Sequence, residues 1–451
     1  MNKSLLLIIG GMALGLVAQQ AAAQVTAAEA AQLGKSLTPV GATRAASKDG
    51  TVPEWTGGLP KSGPLKDDYP HPALINDKPL FVINHNNYTK YAQYLSKGSQ
   101  ELLKRYSDYY MNVYPSRRTV SWPDFIYKAT EANALTSKLI GTDQPEGAKL
   151  GFPYPIPQNG AEVIWNHKLK WRGDQVRRYN VQAIVQPDGT FQKTILIESV
   201  KFFYANSKNP QTLGPGHTAY LDYLSQTIAP PRLAGTFVLV HDKASTGNSG
   251  RAAWLYSPGL RRIRRAPNVQ YDNPYQGTDG NEFYDQVDMF NGALDRYNWK
   301  LIGKKEMIVG YNNYKISDKN VSLSDIIRPH HLNQALPRYE MHRVWIVEAD
   351  LKPGMSHIFK KRVMYVDEDS WNICEEDDYD NRGQLYKYNE GLTTFLPAVQ
   401  TAGSVPQIIY DFFSGRYFIT AAINGGKPND WTVNFPPDFF TPASVQKSTL
   451  Q

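Results

Sequence analysis

Residues 252–300, AAWLYSPGLRRIRRAPNVQYDNPYQGTDGNEFYDQVDMFNGALDRYNWK, decide the fold. The first part reads as a β-hairpin. Trp254 and Tyr256 end one strand, Ser257-Pro258-Gly259 makes the turn, and residues 260–266 return. Proline at the second turn position sets φ, and glycine at the third tolerates positive φ, as a type II turn requires. The returning strand is RRIRR. Side chains alternate along a strand, so Arg261, Ile263 and Arg265 share one face and Arg262 and Arg264 the other. A loop rich in Gly, Asn, Pro and Asp follows, then an acidic segment with Asp279, Glu282, Asp285 and Asp288, of which Glu282, Asp285 and Asp288 could pair with RRIRR.

Outward from this hairpin the chain keeps a period of two. In residues 163–171 every odd position is large (Val163, Trp165, His167, Leu169, Trp171), and Asn166, Lys168 and Lys170 fill the even side. That alternation predicts a strand with unlike faces. Further strands are expected at 175–186, 192–204, 235–241, 251–256, 298–309, 339–351, 358–366, 370–376, 383–394, 407–413 and 417–423, with a helix-like piece near 217–228. About a dozen strands in near-meander order, without βαβ alternation, argue an α+β protein built on a large curved antiparallel sheet, an open half-barrel. Two helices are expected to pack on it. One spans 87–113, with Tyr88, Tyr91, Leu95, Leu102, Tyr106, Tyr109 and Val113 on one face, and the other spans 122–140.

The domain order follows. Residues 1–23 read as a signal peptide: Lys3, an apolar run over 5–18, and Ala21-Ala22-Ala23 as the cleavage site. Cleavage after Ala23 implies a periplasmic chain. No other run reaches about 18 apolar residues, so no stable membrane span is expected in the mature chain. Residues 24–80 are a Pro/Gly-rich strap, tacked down by Trp55 and Leu59, with a lid as the functional alternative. Residues 81–157 form a helical segment, 158–440 the half-barrel and 441–451 a tail.

Composition narrows the chemistry. One cysteine, Cys374, excludes intramolecular disulfides and reads as a small buried side chain. The formal charge is +7, modest for 451 residues but concentrated at RRIRR, near Arg251, Arg177 and Arg178. In an exported protein such a strand points to anionic headgroups rather than nucleic acid. The plainer reading is a charged edge strand. No phosphate-binding loop, G-x-S-x-G, H-E-x-x-H or C-x-x-C occurs, and His330-His331 sit in a loop. No cofactor, metal ligand or catalytic residue is therefore assigned. The carboxylate cluster Glu375, Glu376, Asp377, Asp378 and Asp380 lacks the spacing of a calcium loop and reads as a solvated turn.

Trp254, Tyr256, Pro258, Arg262 and Arg265, then Gly280, Phe283, Tyr284 and Asp285, resemble the hairpin, loop and acidic helix of outer-membrane lipoprotein-sorting carriers. With residues 37–59 and 360–388 they also resemble a little-characterised proteobacterial periplasmic family annotated with that fold. The resemblance implies an open half-barrel with a greasy concave face. It also implies work in outer-membrane lipid or lipoprotein traffic, alongside envelope transport proteins. The leading expectation is a non-enzymatic carrier or chaperone for a hydrophobic lipid-like ligand or lipoprotein. The expected ligand-binding residues are Trp165, Trp171, Trp254, Tyr256 and Trp345, with Arg262, Arg264 and Arg265 at the headgroup. A non-catalytic interaction subunit of an envelope or efflux complex, and a hydrolase of envelope glycan or lipid using Asp285, Asp288 or the cluster at Asp377, are the alternatives.

Overall fold

The computed structural model describes residues 25–63, 74, 76–244, 250–267, 269, 271–318 and 320–449. The expected signal peptide lies outside them. The chain opens with α1 (Ala27–Ala30), β1 (Phe81–Asn84), α2 (Lys97–Arg105), β2 (Tyr110–Tyr114), α3 (Asp124–Thr136), β3 (Lys138–Ile140), β4 (Gln144–Glu146) and α4 (Gly160–Leu169). Four long strands follow: β5 (Gln175–Val185), β6 (Phe191–Phe202), β7 (Ala219–Ala229) and β8 (Phe237–Lys243). The hairpin itself is β9 (Arg251–Ser257) and β10 (Arg262–Arg265). Then come β11 (Tyr297–Gly310), α5 (Leu323–Ile326), β12 (Tyr339–Leu351), β13 (Lys361–Asp367) and β14 (Ile373–Tyr379). The last elements are β15 (Leu385–Leu396), β16 (Thr401–Asp411), β17 (Tyr417–Ala422) and α6 (Pro442–Ser448).

One sheet of 15 strands runs β1-β2-β12-β13-β14-β15-β16-β17-β5-β6-β7-β8-β9-β10, with β11 on the free side of β12. All pairings in it are antiparallel except the short parallel contact of β2 with β12. Among the described residues β10 pairs only with β9 and β11 only with β12, so the sheet stays open. Residues 266–296 connect these two edges and lie across the trough. Lys387 of β15 reaches Gly280 and Asn281 in that segment, and Gln407 of β16 reaches Gln286.

The trough also holds α4. All ten of its residues are buried. Its apolar side chains join one core with Val176, Val200 and Phe202 on one flank and Trp299, Val347 and Ala349 on the other. This corrects the strand expected at 163–171. A helix surrounded on every side has no polar stripe, so the 3.6 period is erased, and the lysines that mimicked a solvent face are buried instead. Asn159 caps the helix by accepting from the Glu162 amide at 3.0 Å.

Three other expectations change. Residues 87–113 are not one helix: short 3-10 turns at Tyr88–Lys90 and Ala92–Tyr94 precede α2, and β2 begins at Tyr110. Ser96 caps α2 by accepting from Ser99 N–H at 3.2 Å, cutting the aromatic stripe into two elements. Residues 217–228 are strand, because β7 pairs along both edges. The hairpin forms in the expected place, but Ser257 pairs with Arg262 and the positive φ falls on Arg261 (50°) and not on Gly259, so the loop holds four residues where a type II turn holds two.

The largest correction concerns the acidic run. Glu375, Glu376, Asp377 and Asp378 are all fully buried on β14. Glu376 and Asp378 face the trough, where Arg362 meets them at 2.5 and 3.4 Å. Asp377 faces the other way and accepts from the Lys97 and Gly98 amides at 3.0 and 2.8 Å, at the start of α2. The helix dipole favours a carboxylate there. Gly98 permits the approach, since a Cβ would lie 2.0 Å from the Tyr388 ring.

The strap is irregular where described. Arg118 ties it down: the guanidinium grips Asp369 at 2.7 and 2.8 Å and donates to the carbonyls of Thr43, Arg44 and Pro53. Leu59 N–H donates to Thr119, and the Trp55 indole N–H donates to Val120. On the convex face of β7–β10, the C-terminal segment buries Phe435, Phe440 and Val445 against Leu224, Leu239 and Tyr256.

Candidate functional site

Alternation on β5–β9 sends one set of side chains into the trough. Register aligns Val176, Val200, Tyr223, Val240 and Ala253 in one row, and Arg178, Glu198, Ser225, Val238 and Leu255 in the next. Opposite this wall stand the C-terminal end of α4 and Asp288 and Phe290 from the bridging segment. Between them lies a cleft with two lobes that share Arg172, Arg178, Phe202 and Asp288. The lobes offer about 60 and about 100 Å³ to the centre of a water-sized sphere, inside outer envelopes of about 730 Å³ each that include the open mouths. One water needs roughly 10–15 Å³ on that measure. The cleft as it stands holds several waters or a small polar group with a short apolar arm.

Its charges are unequal. Lys168, Lys170, Arg172, Arg178 and Arg251 line it against Asp242, Asp288 and Glu198. Arg251 forks onto Asp242 at 2.6 and 2.7 Å, and Arg178 meets Glu198 at 2.9 Å. Asp288 takes both Lys170, at 3.2 Å, and Arg172. Lys168 is drawn by the nearby carboxylates of Asp143, Asp242 and Asp295. It donates to the Gly292 carbonyl at 2.5 Å and stands 4.6 Å over the Trp165 ring. Among the lining residues five cations face three carboxylates, with Asp143 and Asp295 behind the lining also acting on Lys168.

Burial pushes Lys168 and Lys170 down to about 8, against the pull of nearby carboxylates, so both remain mostly charged at neutral pH. His167 beneath them is driven down to about 3 by burial and by Lys170, and stays neutral. Burial opposes the charge on Asp288, yet Lys170 and Arg172 hold its carboxyl well below the usual range. An anion entering the cleft meets desolvated cations that bulk water does not screen. Two tyrosines of the cleft donate to its carboxylates, Tyr223 to Glu198 at 2.9 Å and Tyr220 to Asp242 at 3.2 Å.

The eight residues expected to bind ligand do not line this cleft. Trp165 backs it, with its indole N–H on the Thr142 carbonyl at 3.0 Å and its ring under Lys168. Trp171 donates to Val399 and packs edge-on to Phe125. Trp254 and Tyr256 face the convex side, under the C-terminal segment. Trp345 sits on β12 with its ring 4.4 Å from Lys304 Nζ. Arg262, Arg264 and Arg265 are exposed on the open edge strand. The carboxylates thought to pair with RRIRR go elsewhere: Asp288 to Lys170 and Arg172, and Asp285 to Arg362 and His357. A helix over 163–171 puts Lys168 and Trp165 on a shared face, three residues apart, as the 4.6 Å contact of the Lys168 ammonium with the Trp165 ring shows.

His342, Asp367 and Asp369 place ligand-type atoms within 4.8 Å of one another. Their bonding does not suit a metal ion. Arg118 occupies both oxygens of Asp369. Burial opposes protonation of His342, but Asp367 and Glu340 outweigh it and hold the ring up to about 9, leaving no lone pair to donate at neutral pH.

The family described as "Protein of unknown function (DUF1329)" matches residues 82–446. An uncharacterised protein of Pseudomonas aeruginosa is 41% identical over 456 residues and covers all of both chains. Three solved structures are similar at lower identity. A DUF1329 family protein from Desulfovibrio piger is 14% identical, with a TM-score of 0.41 over 60% of this chain and 92% of that one. A domain from Vibrio parahaemolyticus described as outer membrane lipoprotein-sorting is 14% identical, with a TM-score of 0.42 over 64% and 98%. A LolA superfamily protein from Nitrosomonas europaea is 12% identical, with a TM-score of 0.37 over 63% and 97%. The family match spans the sheet, the bridging segment and α4 alike, and the chain belongs to the DUF1329 family.

Proposed function

We propose that the protein is a non-catalytic carrier or chaperone for an anionic amphiphile, an acyl-bearing lipid or lipoprotein in envelope traffic. The carrying observation is the cleft's lining, in which cations outnumber carboxylates by two beside Val200, Phe202, Leu221, Val238 and Val240. An apolar wall alone takes any greasy group; a buried cationic end selects one with an acidic head. The head sits between Lys168, Arg172 and Arg251, not at the exposed arginines of β10. Each buried methylene contributes about 0.8 kcal/mol. A chain longer than the present cleft requires residues 266–296 to shift off the trough. No helix among the described residues is long and apolar enough to cross a membrane.

A filled trough favours a second reading. With α4 and residues 266–296 occupying it, the protein would act as an interaction subunit whose cleft is only a solvated ion network. Purification from the periplasm without detergent, followed by solvent extraction and mass spectrometry, separates the two. A stoichiometric acidic lipid or acylated species supports the carrier. An extract that stays empty after incubation with envelope lipids rejects it.

A further inference from the structure

The hairpin turns at one end of the half-barrel form a continuous rim. A Cβ on Gly415, in the β16–β17 turn, would lie 3.6 Å from Pro187 in the β5–β6 turn. Arg232 reaches from the β7–β8 turn to Gln192 at the start of β6, 3.2 Å away. A Cβ on Gly235, in the β7–β8 turn, would lie 3.2 Å from Pro258 in the β9–β10 turn. Each of the four turns shows solvent one large apolar side chain at or beside it: Phe413 (55% exposed), Phe191 (36%), Ile228 (40%) and Leu260 (53%). The β12–β13 connection ends on the same side and adds Met355 (48%). These are five of the eleven exposed large apolar side chains among the described residues.

Positive charge outnumbers negative on this rim. Arg261, Arg262, Arg264 and Arg265 are exposed, with no ion-pair partner among the described residues, and Arg232 and Arg382 are exposed on neighbouring turns. The carboxylates nearby are turned onto their own backbone. Asp188 accepts from the Thr190 amide at 2.9 Å, Asp380 from Gln384 at 2.8 Å and Asp411 from Phe413 at 2.9 Å.

We propose that this rim docks on an anionic lipid bilayer, with Phe413, Phe191, Ile228 and Leu260 entering the interface and the β10 arginines meeting phosphates. Apolar insertion and attraction to anionic lipid reinforce each other at such surfaces, and guanidinium forks fit phosphate. A protein partner would want one contiguous apolar core ringed by polar groups. Here single apolar tips alternate with arginines along a row of turns, the pattern a fluid surface accepts. The inference stands on the rim alone and does not require the cleft to hold a ligand.

The test is co-sedimentation of the full chain with phosphatidylcholine vesicles, with and without phosphatidylglycerol, at low and high salt. The expected result is partitioning at least about tenfold stronger with phosphatidylglycerol, weakened by salt. The triple variant Arg262→Ser, Arg264→Ser, Arg265→Ser loses that preference. The double variant Leu260→Ser, Phe413→Ser binds less than wild type at either salt. All these positions are exposed, and thermal melts check that the fold persists. Equal binding to both vesicle types, or variants that bind like wild type, overturns the proposal. Absence of vesicle binding also overturns it and assigns the rim to a protein partner.

Discussion

Asp285, in the segment bridging the mouth of the half-barrel, accepts a hydrogen bond from Arg362 of β13 at 2.6 Å, and both side chains are buried. Arg362 also meets Glu376 and Asp378, so one guanidinium serves three carboxylates. The bridge therefore rests on charge as well as on apolar packing. Removing one partner of a buried ion network leaves the others uncompensated, typically at about 3–5 kcal/mol. Arg362→Met is expected to lower unfolding free energy in urea by that order and to speed proteolysis within residues 266–296. Asp285→Asn, which keeps an acceptor for Arg362, is expected to lose less. Equal stability of Arg362→Met and wild type would show that the bridge is held by packing alone.

Period-two patterning placed most of the sheet, because strands with one face on the trough and the other on a second core still alternate in size. Cys374 is buried on β14, as its reading as a small buried side chain expects. What was illegible shares one cause: charge inside the protein. Lys168, Lys170 and the run from Glu375 to Asp378 look like solvent-facing residues, yet all are buried with partners hundreds of residues away or on other elements. Local sequence reports whether a residue is charged, not whether the fold supplies its counter-charge. The cleft's cations are illegible for that reason, whereas the arginines of β10 are contiguous and stand out in the sequence.

Trp254 stands apart from the cleft. Its ring lies against the C-terminal segment, 4.9 Å from the His241 ring, on the face opposite the cleft. Trp254→Ala is expected to destabilise the protein by about 2–4 kcal/mol through lost packing. It should leave the affinity of any cleft ligand unchanged once folding is corrected for. A large drop in ligand affinity with unchanged stability would return Trp254 to the binding surface.

The buried carboxyls set a pH dependence. Burial pushes Glu375 and Glu282 up to about 8 and Glu390 up to about 7. Each binds more protons folded than unfolded between its ordinary 4.5 and the raised value, so stability falls as pH rises through that window. His342, raised from 6.5 to about 9, acts in the same direction above 6.5. The opposing groups act mainly outside this range: His167, lowered to about 3, contributes chiefly between 3 and its ordinary 6.5 and fades above it, and Lys168 and Lys170 begin near 8. Thermal stability is therefore expected to fall between pH 6.5 and 8. Glu390→Gln, which keeps an acceptor near the Tyr339 hydroxyl at 2.8 Å, should flatten the profile below pH 7. A melting temperature that climbs across this interval would refute the assignment.

Asp288 offers the sharpest test of the cleft. It sits at φ 55°, a left-handed conformation that asparagine tolerates well, so Asp288→Asn changes charge with little backbone strain. The carboxylate neutralises Lys170 and Arg172; without it the excess of cations over carboxylates rises from two to three. Affinity for an anionic amphiphile such as oleate should rise by roughly tenfold at low salt, about 1.4 kcal/mol. Arg172→Gln removes a cation from the same contact and should weaken it by a similar factor. The matching uncharged alcohol should bind both variants alike, which separates charge from altered shape. Calorimetric titration of both ligands reads all three effects. If both substitutions move oleate affinity in one direction, the cleft's charge does not select the head, and the anionic-cargo reading falls.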